Sequence, residues 1–175
     1  MSTTIVTPQA VASYANVFTP RKSPHGIMKY SISLLFPKKT TDMAEIKAAI
    51  QQAITEKWGE KPPKGLRIPV RDGDAKDQEN YHGHWFINAN ASEDRRPIVV
   101  GSDLQRINDI NQFYSGCICR AEISFFGYDT AGNQGVGAGL NSLMKVADGE
   151  PLGNVSNPEK TFAAFAGKAE DDLAF

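Results

Sequence analysis

SGCICRAEISFFGY (residues 115–128) alternates over its whole length. In an extended chain Cys117, Cys119, Ala121, Ile123 and Phe125 fall on one side, and Ile118, Arg120, Glu122, Ser124, Phe126 and Tyr128 on the other. That is the pattern of a long strand with one face in a core. The turn-forming Asp129-Thr-Ala-Gly-Asn133 follows, then a Gly-rich strand near 135–146, so the pair reads as a hairpin. Glycines inside a strand point to bulges or tight barrel corners.

Working outward, IMKYSISLLF (27–36) alternates in the same way, with Met28, Tyr30, Ile32 and Leu34 opposite Lys29, Ser31 and Ser33. VASYANVF (11–18) mixes β-branched and aromatic residues and precedes Pro20 and a turn-like RKSPHG. HWFINA (84–89) and Pro97 to Val100 read as further strands, with a short one at Leu66 to Val70 inside the polar connection 60–81. One helix is predicted over about 42–58. Thr41 or Asp42 serves as its cap, Glu45 completes a capping box, and Met43, Ile46, Ala49, Ile50, Ala53, Ile54 and Trp58 form its stripe. Gly59 ends it. Five main strands and one helix make a mainly β chain, best fitted by a small, curved OB-fold-like barrel.

The chain has 175 residues, 41% hydrophobic and 22% charged, which suits one globular domain and excludes wholesale disorder. No run approaches about 18 apolar residues, so no membrane span is expected. The first twenty residues lack a basic leader and are interrupted by Pro8, Gln9, Ser13 and Asn16, unlike a signal peptide. Cys117 and Cys119 should then stay reduced in a cytoplasmic setting. The barrel is assigned to residues 1–150. Residues 151–175, rich in Pro, Gly, Ala and Asn before an acidic end, read as a flexible linker and tail.

The net charge of −1 hides an asymmetry. Residues 1–71 carry eleven basic and four acidic side chains, while residues 72–175 carry eight basic and sixteen acidic ones. A basic surface for a polyanion, with an acidic tail, is the partner class this implies. No enzyme emerges. His82 and His84 with Cys117 and Cys119 match no common zinc spacing. Asp72, Asp74, Asp77 and Glu79 are out of register for a calcium loop, and the glycines at 135, 137 and 139 lack a following Lys-Ser/Thr. No cofactor or metal is expected, and a nuclease built on the 72–79 carboxylates is the least favoured reading.

Single-stranded nucleic acid needs cations for phosphates and aromatic faces for bases. The wet strand faces offer Lys29, Arg120, Phe126 and Tyr128, with Tyr14, His84, Trp85 and Phe86 on neighbouring strands. Arg21, Lys22, Arg67, Arg71, Arg95 and Arg96 lie in loops that could rim a groove. Trp85 and Phe86 are adjacent, so only one can share the groove face, and parity does not choose. The candidate contact set is Tyr14, Arg21, Lys22, Lys29, Arg71 and Trp85, together with Arg95, Arg96, Arg120, Phe126 and Tyr128. At the terminus, Glu170, Asp171 and Asp172 can mimic phosphate, while Leu173 and Phe175 suit a partner's pocket.

FTPRKSPHGIMKYSISLLFPK (18–38), RDGDAKD (71–77), YHGHWFINA (81–89), residues 113–153 and the acidic end together resemble a tailed-phage family of single-stranded DNA-binding proteins with an OB fold. The resemblance implies a protein that coats single strands during phage DNA replication or recombination, in the cytoplasm of the infected bacterial host. It also implies replication proteins as partners of the tail. The competing reading is a replisome adaptor whose DNA binding is incidental. Monomer and homodimer both remain open.

Overall fold

The computed structural model describes residues 3–152 and 162–167. Among these residues eight strands and one α-helix run in the order β1 (Thr4–Val6), β2 (Ala10–Lys22), β3 (Met28–Pro37), α1 (Ala44–Trp58), β4 (Val70–Asp72), β5 (His84–Ser92), β6 (Ile98–Val100), β7 (Ile118–Thr130) and β8 (Asn133–Ala147). Five long strands close a ring: β7 pairs with β2, β2 with β3, β3 with β5, β5 with β8, and β8 returns to β7. Numbered among themselves, the five run 1-2-3-5-4-1. This is a closed OB-like barrel. Among the described residues no helix is long and apolar enough to cross a membrane.

The alternation in β7 is realised residue by residue. Cys117, Cys119, Ala121, Ile123 and Phe125 are all buried, and the intervening residues are half-buried or exposed. Tyr30, Ile32, Leu34 and Phe36 of β3 and Ile87, Ala89 and Ala91 of β5 meet them in one core. Burial lifts both thiols of Cys117 and Cys119 above their ordinary range, so they behave as small apolar groups. The β7–β8 turn is the two-residue Ala131-Gly132, both at positive φ (49° and 83°), the geometry that matches a hairpin's twist.

Helix α1 begins at Ala44, two residues later than its sequence signals suggest. Asp42 still serves its N-terminus, since its carboxylate accepts the Ala44 N–H at 2.9 Å. Ile46, Ala49, Ile50, Ala53 and Ile54 are buried in the barrel core. Gly127 of β7 leaves room for the helix end: a Cβ there would stand 2.6 Å from Cβ of Lys57. Gly59 at φ 66° closes the helix, its N–H reaching the Thr55 carbonyl at 2.8 Å.

The sequence reading omits β1. Thr4–Val6 pairs with Ser124–Glu122, and β2 takes up the same edge of β7 at Ala10 and Val11. Between them Pro8, which has no N–H to give, interrupts the ladder. Buried Thr7 repairs the gap: its N–H donates to the Ala121 carbonyl at 2.9 Å and its Oγ1 accepts the Ala121 N–H at 3.1 Å.

The outer face of β3 and β5 is only partly wet. Ser33 is buried, and Leu35 and Phe86 lie under Tyr81 in a second small core. The Tyr81 and Phe86 rings meet edge to face at 5.1 Å, and the Tyr81 hydroxyl donates to Ser13 Oγ at 3.1 Å. The strap that carries Tyr81, residues 73–83, is therefore folded down onto the barrel.

Candidate nucleic-acid interface

The rest of that outer face is an open cleft of about 520 Å³. Its floor is the alternating outer row of β5 (Asn88, Asn90 and Ser92) with Lys29 of β3. One wall is the β7–β8 hairpin. Phe126 stands across Gly137, and the Tyr128 hydroxyl reaches over Gly135. A Cβ at Gly137 would lie 2.7 Å from Phe126 Cζ, and one at Gly135 would lie 2.8 Å from the Tyr128 oxygen. The glycines of β8 thus make a bed for two aromatic rings, which explains the Gly-rich strand better than a barrel corner does. Phe126 remains 52% exposed, so its ring is held in place without being used by the core.

The opposite wall is the segment 67–72. Strands β5 and β8 touch in register only at Asn90 and Gly139. Arg67 pairs with the hairpin through the Gln134 and Val136 backbone, at 3.0 and 2.9 Å, and β4 then pairs with β5 from Val70 to Asp72. The segment fills the divergence and sets Arg67, Ile68, Pro69 and Arg71 along the cleft. Among the described residues no carboxylate lines it. Three cations and two aromatic rings share one wet trough, which is what a polyanion with flat bases requires.

Other predicted residues surround this trough at different distances. Arg21 pairs across the ladder with Lys29, and Lys22 with Met28, on the hairpin arm that rises beside the floor. Like charges placed directly opposite repel, so this pair gains from an anion between its members. Exposed Arg95 joins the floor's far end, its N–H on the Ser92 carbonyl at 3.0 Å. Arg96 stacks on Phe18 at 5.9 Å. Among the described residues none of these arginines has a carboxylate within ion-pair reach. Tyr14, 55% exposed at φ 46°, stands beyond the strap, and its hydroxyl takes the Gln78 side-chain amide.

Trp85, Phe86 and Arg120 are not brought to the cleft. Trp85 faces the opposite way, half-buried on the main core, with the Lys38 ammonium 4.4 Å above its ring. Phe86 shares the cleft's side of β5 but is covered by Tyr81. Arg120 has the parity of Phe126, yet six residues of strand, roughly 20 Å, separate them. Its guanidinium donates to the Thr7 carbonyl at 3.2 Å and lines a different hollow beside Pro37 and Thr40. The terminal Glu170, Asp171, Asp172, Leu173 and Phe175 lie outside the described residues.

The sequence reading passed over Asn88 within its predicted strand, and Asn90 and Ser92 because it ended that strand at Ala89; the alternation of Asn88, Asn90 and Ser92 with Ala89 and Ala91 was the available signal. The carboxylates at 72 and 74 have a structural use. Lys38 donates to Asp72 at 2.6 Å and to Asp74 at 2.7 Å, and Asp74 also accepts the Gly83 N–H. The hydrogen bond from Lys38 holds both carboxyls below their usual range, and they in turn raise the Lys38 ammonium. His82 and His84 bond to backbone carbonyls, of Lys76 and His82 respectively. Among the described residues no group of three His, Cys, Asp or Glu side chains could hold a metal ion.

Comparison with known proteins accords with this geometry. The profile of a family described as Enterobacter phage Enc34, ssDNA-binding protein matches residues 3–174. A putative protein p50 of Acyrthosiphon pisum secondary endosymbiont phage 1 is 33% identical over 162 residues, covering 85% of this chain and 86% of its own. The solved structure of the single-stranded DNA-binding protein from bacteriophage Enc34 in complex with ssDNA superposes with a TM-score of 0.73 at 26% identity, over 86% of this chain and 89% of that one. A single-stranded DNA-binding protein encoded by bacteriophage T7 shares the fold, with a TM-score of 0.64 at 18% identity over 98% of each chain.

Proposed function

The chain belongs to the family of the Enterobacter phage Enc34 single-stranded DNA-binding protein, and on that premise we propose that it is a non-enzymatic protein that coats single-stranded DNA with little sequence preference. The observation that carries the reading is the cleft itself. Phe126 and Tyr128 are held on a glycine bed in the same cleft as Arg67 and Arg71, and among the described residues no acidic side chain lines it. Phosphates run along the cations and bases stack on the rings, and neither kind of contact by itself depends strongly on which base is bound. The setting we infer is phage DNA replication or recombination in the cytoplasm of the infected host cell.

Titration of a labelled oligo-dT at several salt concentrations tests this. Lys29, Arg67, Arg71 and Arg21 supply about four phosphate contacts, so log K should fall against log salt with a slope of roughly −3. A flat response overturns the electrostatic cleft.

The tail completes the proposal. Glu170, Asp171 and Asp172 compete with DNA for the basic face, and the terminal Phe175 recruits replication proteins. A linker of about twenty residues spans roughly 25 Å, and such a tether brings even a weak contact to an effective concentration near millimolar. Deleting residues 170–175 should raise oligonucleotide affinity, most at low salt. Phe175→Ala should leave that affinity unchanged while weakening partner capture. Unaltered low-salt affinity after the deletion would favour the adaptor reading.

A further inference from the structure

We propose that the floor of the cleft discriminates among bases, and that Ser33 sets the preference by orienting Asn88; this rests on the reading of the cleft as a single-strand site. Ser33 is buried on β3 directly opposite Asn88, and its hydroxyl donates to Asn88 Oδ1 at 2.7 Å. That bond turns the amide carbonyl sideways onto the sheet. The Asn88 NH₂ group is left as the part of the side chain offered to the open cleft, where Asn88 is exposed.

An asparagine that is free to turn pairs with adenine through both amide atoms, the carbonyl accepting from the amino group and the NH₂ donating to a ring nitrogen. Asn88 cannot present that edge while Ser33 holds its oxygen. What it presents is a donor. Thymine, with two carbonyls and no exocyclic amino group, meets a donor from either side, whereas adenine's ring nitrogens lie beside an amino donor that a donor-only edge leaves unpaired. Of the neighbouring groups, Lys29, Arg67 and Arg71 are donors only and push the same way, whereas Asn90, the next floor residue, carries both a donor and an acceptor. Ser92, whose proton goes to Asp94 at 2.7 Å, offers an acceptor, but at the far end of the strand. A run of bases stacked on Phe126 over this floor is therefore held more tightly when it is thymine.

The test is a comparison of ratios in the full-length protein. Oligo-dT and oligo-dA of equal length are titrated against wild type, Asn88→Ala and Ser33→Ala, with folding checked by thermal melting. Oligo-dA also resists binding through its own base stacking, but the same oligonucleotides serve every protein, so that contribution cancels between arms. The ratio of dT to dA affinity should fall about fivefold in each variant, the worth of one hydrogen bond. A general loss of affinity from altered packing would lower both oligonucleotides alike and leave the ratio where it was. An unchanged ratio in the folded variants overturns the proposal, as does equal affinity of wild type for dT and dA. Wild type that binds neither would instead overturn the single-strand reading on which it rests.

Discussion

Replacing Phe126 or Tyr128 by alanine should weaken oligonucleotide binding by about 1–3 kcal/mol each, the usual worth of one base stacked on one ring. The structure makes this a clean experiment. Phe126 is more than half exposed and Tyr128 half-buried, and neither belongs to the interior row of β7 that carries the core. Thermal stability should therefore hold while affinity falls. Gly137→Ala gives a second route to the same loss without deleting the ring. Its new methyl would stand 2.7 Å from Phe126 Cζ and force the ring off its bed. Because the crowded atom is the far end of a side chain, the barrel can keep its fold. Arg120→Ala is the control, since its guanidinium serves the Thr7 carbonyl away from the cleft. Equal losses in the Arg120 and Phe126 variants would mean that DNA does not run through the cleft.

Much of this site was legible in one strand. The alternation of β7 separated Phe126 and Tyr128 from the Cys-Ala-Ile-Phe row, and the structure keeps that separation intact. The helix stripe was equally plain, because burial at i, i+3 and i+4 leaves a periodic mark. Parity, however, says which side a residue faces and nothing about how far along a curved strand it sits. Arg120 was grouped with Phe126 for that reason. Barrel closure was also hidden, since β5 meets β8 in register at a single pair of residues, Asn90 and Gly139. Arg67, named from the sequence only as a loop arginine that could rim a groove and left out of the contact set, becomes a cleft residue through that gap. The strap 73–83 is the hardest case. Its anchors Gly73 and Tyr81 are scattered through a polar stretch with no period, so it reads as a solvated loop. The outcome for Trp85 and Phe86 depended on it, because Tyr81 is what covers Phe86.

Gly73→Ala should cost the largest share of stability of any single methyl added to this chain's strap. Gly73 is buried where the strap begins, and an added Cβ would sit 2.0 Å from the Tyr81 carbonyl oxygen and 2.6 Å from that of His84. Both are backbone atoms, so no side chain can swing aside. The strap must lift instead. Lifting uncovers Tyr81, Phe86 and Leu35, now 1%, 3% and 1% exposed, and fully burying such side chains is worth about 1.5–3 kcal/mol each. Partial lifting would therefore cost about 3–5 kcal/mol, a drop in melting temperature of roughly 10 °C for a domain of this size. The ties of Lys38 to Asp72 and Asp74 would loosen too. Those carboxyls are held below their unfolded range, so their contribution is present at neutral pH and fades as the pH falls through the lowered values. Strap opening should then bring wild type closer to the variant in acid, and their melting temperatures should converge as the pH is lowered. The strap also holds Tyr14 through Gln78, at the edge of the face that carries the cleft. A Gly73→Ala protein that melts within a degree or two of wild type at neutral pH would show that the strap adds nothing to the barrel.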